Sequence, residues 1–233
     1  MLFINRRAFL AVSLAALAAP AFADDDNDNT LILTTKHGRV VIRLRPDLAP
    51  KHVVQITTLV KRKFYDGIVF HRVIPGFMAQ TGDPTGTGAG GSDLPNSPAE
   101  FTPTHFKRGT VGMARSSEPN SANSQFFICF DDVGALDGKY TVFGEVTSGM
   151  DVVDQIKAGT ADNNGAVDHP DKIVTLRLAS DVKPKADDAA APEDKPKSED
   201  KAKPKKPKPK KTPAADAPDA PADQPTDAPA SQD

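Results

Sequence analysis

Cysteine occurs once in the 233 residues. A single Cys excludes an internal disulfide framework and any Cys-cluster metal site, so stability has to come from apolar burial. An excess of charge of one sign is missing too: 29 Lys+Arg stand against 31 Asp+Glu, a formal net charge of −2. Divided along the chain this is +2 for residues 1–23, −3 for 24–180 and −1 for 181–233, so no segment has the positive excess of a nucleic-acid binder. Large apolar residues are lacking from 181–233, where none exceeds valine and 11 of the 21 prolines sit among Lys, Ala and Asp. Such a stretch cannot build a core. It reads as a disordered tail behind a folded domain at 24–180.

Long hydrophobic runs are scarce as well. The one at the front, Ala8 to Ala19, follows Arg6 and Arg7 and is closed by Pro20 and Ala21-Phe22-Ala23. It is too short and too rich in Ala to cross a bilayer, which takes about 20 apolar residues, so stable membrane insertion is not expected. A basic start, a short apolar stretch and a small-x-small cleavage site describe a signal peptide over 1–23, with Asp24 opening the mature chain. Asn5-Arg6-Arg7-Ala8-Phe9-Leu10 also resembles the twin-arginine signature. Either export route leads out of the cytoplasm, and a periplasmic location is the expectation.

Between about 30 and 180, short β-branched or aromatic runs alternate with Gly, Pro, Asn and Asp. Strands are expected at 31–35, 39–45, 68–74, 77–80, 110–114, 124–130, 141–147 and 172–178. In 39–45, Val40, Ile42 and Leu44 share one face and Arg39 and Arg43 the other, the period of a half-buried strand. Ala49, Val53, Ile56, Val60 and Phe64 recur at helical spacing, predicting a helix over 48–63 capped by Asp47. A second is expected at 149–157. Many short strands with only two helices suggest a mainly β fold, a closed eight-stranded antiparallel β-barrel capped by two α-helices, because closure removes exposed edges.

In 124–130, Phe126, Ile128 and Phe130 point one way and Gln125, Phe127 and Cys129 the other. Both faces are apolar, so the strand either lies between two packed layers or lines a barrel with one face and a surface pocket with the other. The run from Phe70-His71-Arg72 to Phe77-Met78-Ala79-Gln80 sets a guanidinium and a carboxamide among large apolar groups, which suits a pocket for an uncharged, partly apolar ligand. The commonest fate of an arginine is to snorkel at the surface, and this segment alone does not discard that reading of Arg72.

Four blocks in order, Phe70 to Asp83, Gly109 to Ala114, Ser124 to Cys129 and Leu136 to Gly144, resemble the cyclophilin family of peptidyl-prolyl isomerases over about residues 30–180. The loop Gly82 to Gly91 is similar to that of bacterial members. The resemblance implies an eight-stranded barrel with two helices and rotation of X-Pro peptide bonds without metal or cofactor. It makes Arg72 the catalytic arginine, with Gln80 orienting it or the substrate. Phe77, Met78, Phe127 and Leu136 become the proline pocket, while Ala114, Gln125 and Tyr140 join Gln80 along the bound peptide. Two positions depart from many eukaryotic members: Ala135 where they have Trp, and Tyr140 where they have His. These changes bear on inhibitor affinity and pocket shape.

Other signals carry less. Gly86-Thr87-Gly88-Ala89-Gly90-Gly91 matches the dinucleotide pattern G-x-G-x-x-G but lacks the flanking strand and helix, so it reads as a loop. The five His show no ligand spacing, and Cys129 reads as inert packing. Lys201 to Lys211, with seven lysines and three prolines, reads as a solvated linker. The expected partners are therefore proline-containing polypeptides, met by a monomer. The rival reading is a chaperone module that binds proline peptides without turnover, but a pure binder has no need of Arg72.

Overall fold

A computed structural model describes residues 25–182, so the expected signal peptide at 1–23 and nearly all of the expected disordered tail at 181–233 lie outside the described residues. Eight strands form one antiparallel sheet: β1 Thr30–Thr35, β2 Gly38–Leu44, β3 Arg72–Ile74, β4 Met78–Thr81, β5 Thr110–Met113, β6 Phe126–Cys129, β7 Val142–Ser148 and β8 Thr175–Leu178. They lie in the order β3-β4-β6-β5-β7-β2-β1-β8. All eight expected strands are present, most of them trimmed at their ends. The alternation in β2 holds, with Val40, Ile42 and Leu44 buried and Arg39 and Arg43 exposed.

Three helical segments accompany the sheet: α1 Asp25–Asp28, α2 Pro50–Lys61 and α3 Met150–Val153. The helix expected at 48–63 begins at Pro50, whose missing N–H costs nothing in the first turn. Asp47 does not cap it. Its carboxylate instead accepts the guanidinium of Arg45 at 2.8 Å. The first-turn N–H groups of Lys51 and His52 donate to Glu100, both at 3.1 Å, so a carboxylate distant in sequence meets the positive end of the helix. The helix expected at 149–157 keeps one α-turn, and Val152, Val153 and Ile156 are buried as expected.

The closed barrel is not observed. The sheet curls into a half-barrel whose edges, β3 and β8, share no ladder. β3 is only three residues long, and its outer edge is taken by a loop. Val73 N donates to Gly165 O at 2.8 Å, Val167 N to His71 O at 3.0 Å and Gly159 N to Val73 O at 3.0 Å. Just before the two edge strands the chain does meet itself, through Phe70 N to Asp171 O at 2.9 Å and Ile173 N to Ile68 O at 2.8 Å. The edges are thus covered without a continuous ladder, another way of protecting unpaired backbone.

All four β6 residues are buried, and they divide between two clusters. Phe126 and Ile128 belong to the main core inside the curl, with Leu33, Ile42, Ile56, Phe70 and Phe143. Phe127 and Cys129 belong to a second cluster on the outer face, with Met78, Phe106, Leu136, Tyr140 and Val142. Of the two arrangements open for this strand, the structure has the one with a pocket on the outside.

Candidate active site

Register brings the polar residues together. Arg72 pairs with Gln80 across β3 and β4, Gln80 with Phe127 across β4 and β6, and Phe127 with Gly112 across β6 and β5. Directly paired residues project from the same face, so a guanidinium, a carboxamide and a phenyl ring stand in a row. Gly112 completes the row by having no side chain: a Cβ there would lie 2.6 Å from the Phe127 ring and 2.7 Å from that of Phe106. The space lets Phe106 stack on Phe127 with centroids 5.9 Å apart and planes at 22°. Tyr140 meets Phe127 edge-on at 5.9 Å and 85°.

Above this floor lies a cavity open to solvent and lined by Arg72, Phe77, Met78, Gln80, Ala114, Arg115, Phe127, Leu136 and Tyr140. Eight of the nine site residues expected from the sequence are in that wall. Gln125 stands one step behind it. Its Oε1 accepts from Gln80 Nε2 at 2.9 Å, and its Nε2 donates to the carbonyls of Gly88 and Gly90, both at 2.8 Å. The glycine-rich loop rejected as a dinucleotide site therefore anchors the amide chain behind the cavity. Asp83 shapes that loop by accepting the N–H groups of Thr85, Thr87 and Gly88.

Arg72 is half-buried and held on two sides. Nη1 donates to Gln80 Oε1 at 3.3 Å, Nε to Asn164 O at 3.0 Å and Nη2 to Asn164 Oδ1 at 2.9 Å. Burial pulls its pKa below the usual arginine value, and the nearby Tyr140 opposes that shift. An arginine starts so high that it remains a cation across the working range. The neighbouring His71 is buried, and neither ring nitrogen meets a hydrogen-bond partner of good geometry among the described residues. Burial lowers its pKa, Asp83 pulling the other way, which favours the neutral ring. Burial also pushes the Cys129 thiol up to about 12, consistent with inert packing.

Three contributors were not legible. Asn164 comes from the loop beside β3, in a left-handed conformation at φ 57° that Asn tolerates better than most residues. Its only advance sign is the Asn163-Asn164-Gly165 turn signature, which says nothing of Arg72. Phe106 is one aromatic in a stretch without periodicity. Arg115 follows directly on Ala114, with its guanidinium carbon 4.6 Å from the Tyr140 ring centroid and 5.6 Å from that of Phe101. Tyr140, a departure from the eukaryotic pattern, thus supports a second cation at the rim. Ala135 is exposed beside the buried Leu136 and is not part of the wall.

A family model for cyclophilin type peptidyl-prolyl cis-trans isomerases matches residues 30–178. The chain belongs to the cyclophilin family. It is 54% identical over 187 residues to a probable peptidyl-prolyl cis-trans isomerase of Brucella suis biovar 1, covering 76% of this chain and 94% of that one. To a peptidyl-prolyl cis-trans isomerase of Helicobacter pylori it is 43% identical over 130 residues, 54% of this chain and 79% of the other. Among solved structures it is similar to the cyclophilin AquaCyp293 from Hirschia baltica, with a TM-score of 0.61, 31% identity and coverage of 69% and 77%. It is also similar to a Cryptosporidium parvum cyclophilin determined in the presence of the dipeptide Ala-Pro, with a TM-score of 0.59, 28% identity and coverage of 64% and 98%. This cyclophilin is accordingly a peptidyl-prolyl cis-trans isomerase. The match spans the whole sheet, from the start of β1 to the end of β8.

Proposed function

We propose that Arg72 catalyses the isomerisation by donating a hydrogen bond to the prolyl nitrogen of a bound X-Pro segment. Rotation about that amide faces about 18–20 kcal/mol because resonance stiffens the C–N bond. At the twisted state resonance is lost and the nitrogen carries a localised lone pair. A donor aimed there binds the transition state more tightly than either planar ground state. One such bond contributes about 3 kcal/mol, leaving desolvation and positioning to supply more.

The observation that carries the proposal is the placement of the Arg72 guanidinium, bonded to Gln80 and Asn164, at the wall of a largely apolar cavity. Phe77, Met78, Phe127 and Leu136 grip the proline ring while the residue before it turns. Gln80, with both ends of its amide engaged, orients the guanidinium. Ala114 and Tyr140 flank the peptide, and Gln125 supports Gln80 from behind. No bond is made or broken, so the residues present suffice without a nucleophile.

The substrates are proline-containing polypeptides, in keeping with the Ala-Pro dipeptide named with the Cryptosporidium relative. Export through the segment at 1–23 makes the clients proteins folding in the periplasm. An isomerisation assay on a short X-Pro peptide, with Arg72→Ala as control, tests the chemistry. Peptide binding without turnover would overturn it in favour of a binding module. Fractionation of cells, with mass spectrometry of the amino terminus, tests export, and retention of the protein in the cytoplasm would overturn that part.

A further inference from the structure

The cavity is electrostatically one-sided. Among the described residues Arg72 and Arg115 both line it, and no Asp or Glu does. Every hydrogen bond made by these two guanidiniums ends on an uncharged oxygen: Asn164 and Gln80 for Arg72, the carbonyls of Ser116, Ser117 and Lys139 for Arg115. Arg115 is also clamped over Tyr140, so its charge stays at the rim. Two cations therefore border an apolar slot that no carboxylate of the described residues balances. The occupant that fits is a small residue followed by proline, with carboxylates close on either side.

The chain itself contains that unit more than once. Past Val182 the sequence reaches Asp216-Ala217-Pro218-Asp219-Ala220-Pro221 and then Asp227-Ala228-Pro229, with Asp223 between them. From Thr212 to Asp233 there is no Lys or Arg. Several other prolines of the segment are different: Lys203-Pro204, Lys206-Pro207 and Lys208-Pro209 put a cation beside the ring, where Arg115 would repel it, and the acidic Ala191-Pro192-Glu193-Asp194 runs straight into Lys195. About 35 residues separate Val182 from Ala217. A coil of that length spans roughly 30 Å root-mean-square, against a radius of gyration of about 15 Å for a domain this size, so the cavity is within reach.

We propose that the acidic Ala-Pro segment 216–229 docks in the cavity of its own chain as a tethered substrate that competes with external proline peptides. The proposal rests on the assignment of the Arg72 cavity as the isomerase site. Tethering gives an effective concentration on the order of millimolar, enough for a weak ligand to occupy the slot for a sizeable fraction of the time. Isomerisation of the docked bond transfers no atom and needs no co-reactant. The charge pairing is partly exposed, so salt weakens it.

The test compares the full chain with a full-length variant carrying Pro218→Ala, Pro221→Ala, Pro225→Ala and Pro229→Ala, using a neutral external peptide with a central Ala-Pro bond. The expected result is a KM about two- to tenfold lower in the variant at unchanged kcat, a gap independent of enzyme concentration and narrower at high salt. A second variant, Asp216→Asn, Asp219→Asn and Asp227→Asn, is expected to lower KM as well. Equal KM values with turnover intact would overturn the docking and leave the isomerase reading standing, whereas no turnover in either chain would overturn that reading. A gap that grows with enzyme concentration would mean capture of a second copy and would overturn the tethered form. An asparagine variant indistinguishable from the full chain would overturn the charge argument.

Discussion

Asn164 grips Arg72 twice, accepting Nε on its backbone oxygen at 3.0 Å and Nη2 on its side-chain oxygen at 2.9 Å. With Gln80 taking Nη1, the planar fork is held from both sides of the strand edge. The grip exists because the half-barrel leaves the outer edge of β3 to the loop at 159–167 rather than to β8.

Removing the side-chain half of that grip should slow the rotation step and leave peptide binding nearly unchanged. Asn164→Ala is expected to lower kcat about five- to tenfold with KM within about twofold, since misplacing a catalytic group costs rate more than ground-state affinity. Asn164→Asp, which keeps both acceptors, should retain more activity than the alanine variant. If instead KM rises and kcat holds, Asn164 touches the substrate and is no positioning residue.

Phe127 was legible because a strand apolar on both faces betrays an outer pocket, whereas Arg72, Gln80, Phe77 and Met78 sit in a run that suits a pocket without settling their roles, which the resemblance to the cyclophilin family supplied. Asn164, Arg115 and Phe106 depend on contacts between distant segments. No period or spacing encodes that Asn164 lies on Arg72, 92 positions away, or that Arg115 stacks on Tyr140. The closed barrel failed for a similar reason. Strand patterns reveal faces, but edge pairing depends on where short strands stop and which loop fills the gap. Asp47 failed as a cap because Arg45, two residues before it, competes for the same carboxylate.

Gly112→Ala tests the packing beneath the cavity. The new Cβ would stand 2.6 Å from Phe127 and 2.7 Å from Phe106, so one ring must move. Overpacking of this kind costs about 1–3 kcal/mol. The melting temperature should fall by roughly 3–10 °C, and KM for an X-Pro peptide should rise as the floor tilts. Calorimetry together with steady-state kinetics checks both. Unchanged values would mean that the Phe127 stack is not what shapes the slot.

Acid stability should trace to Asp171. Burial would raise its pKa, but Lys36, His37 and the backbone N–H of Lys157 outweigh burial and hold it at about 2. A carboxylate held lower in the folded chain than in the unfolded one contributes stability that is complete above its unfolded value near 4. That contribution drains away as pH falls toward 2. It amounts to about 2 kcal/mol at neutral pH. Asp171 O also receives Phe70 N where the chain meets itself before the edge strands, so the carboxylate stands beside that seam. In Asp171→Asn, stability at neutral pH should drop and its decline between about pH 4 and 2 should flatten, as read by denaturant titration at several pH values. A variant with the same acid decline as the parent would place the effect elsewhere.

Arg72 itself gives the sharpest test of the chemistry. If its role is one directed hydrogen bond in the twisted state, Arg72→Ala should lower kcat about 10²–10³-fold, the scale for losing a single such donor, with peptide affinity falling far less. Lysine separates direction from charge. It keeps the positive potential in the cavity but loses the planar fork that Gln80 and Asn164 hold. Its ammonium also sits on a flexible stem that those two residues cannot align. Arg72→Lys is therefore expected to resemble the alanine variant, with kcat down at least about tenfold, in an assay that follows cis-to-trans conversion directly. A lysine variant near full activity would mean that positive potential alone stabilises the twisted amide, and the aimed donor would have to be given up.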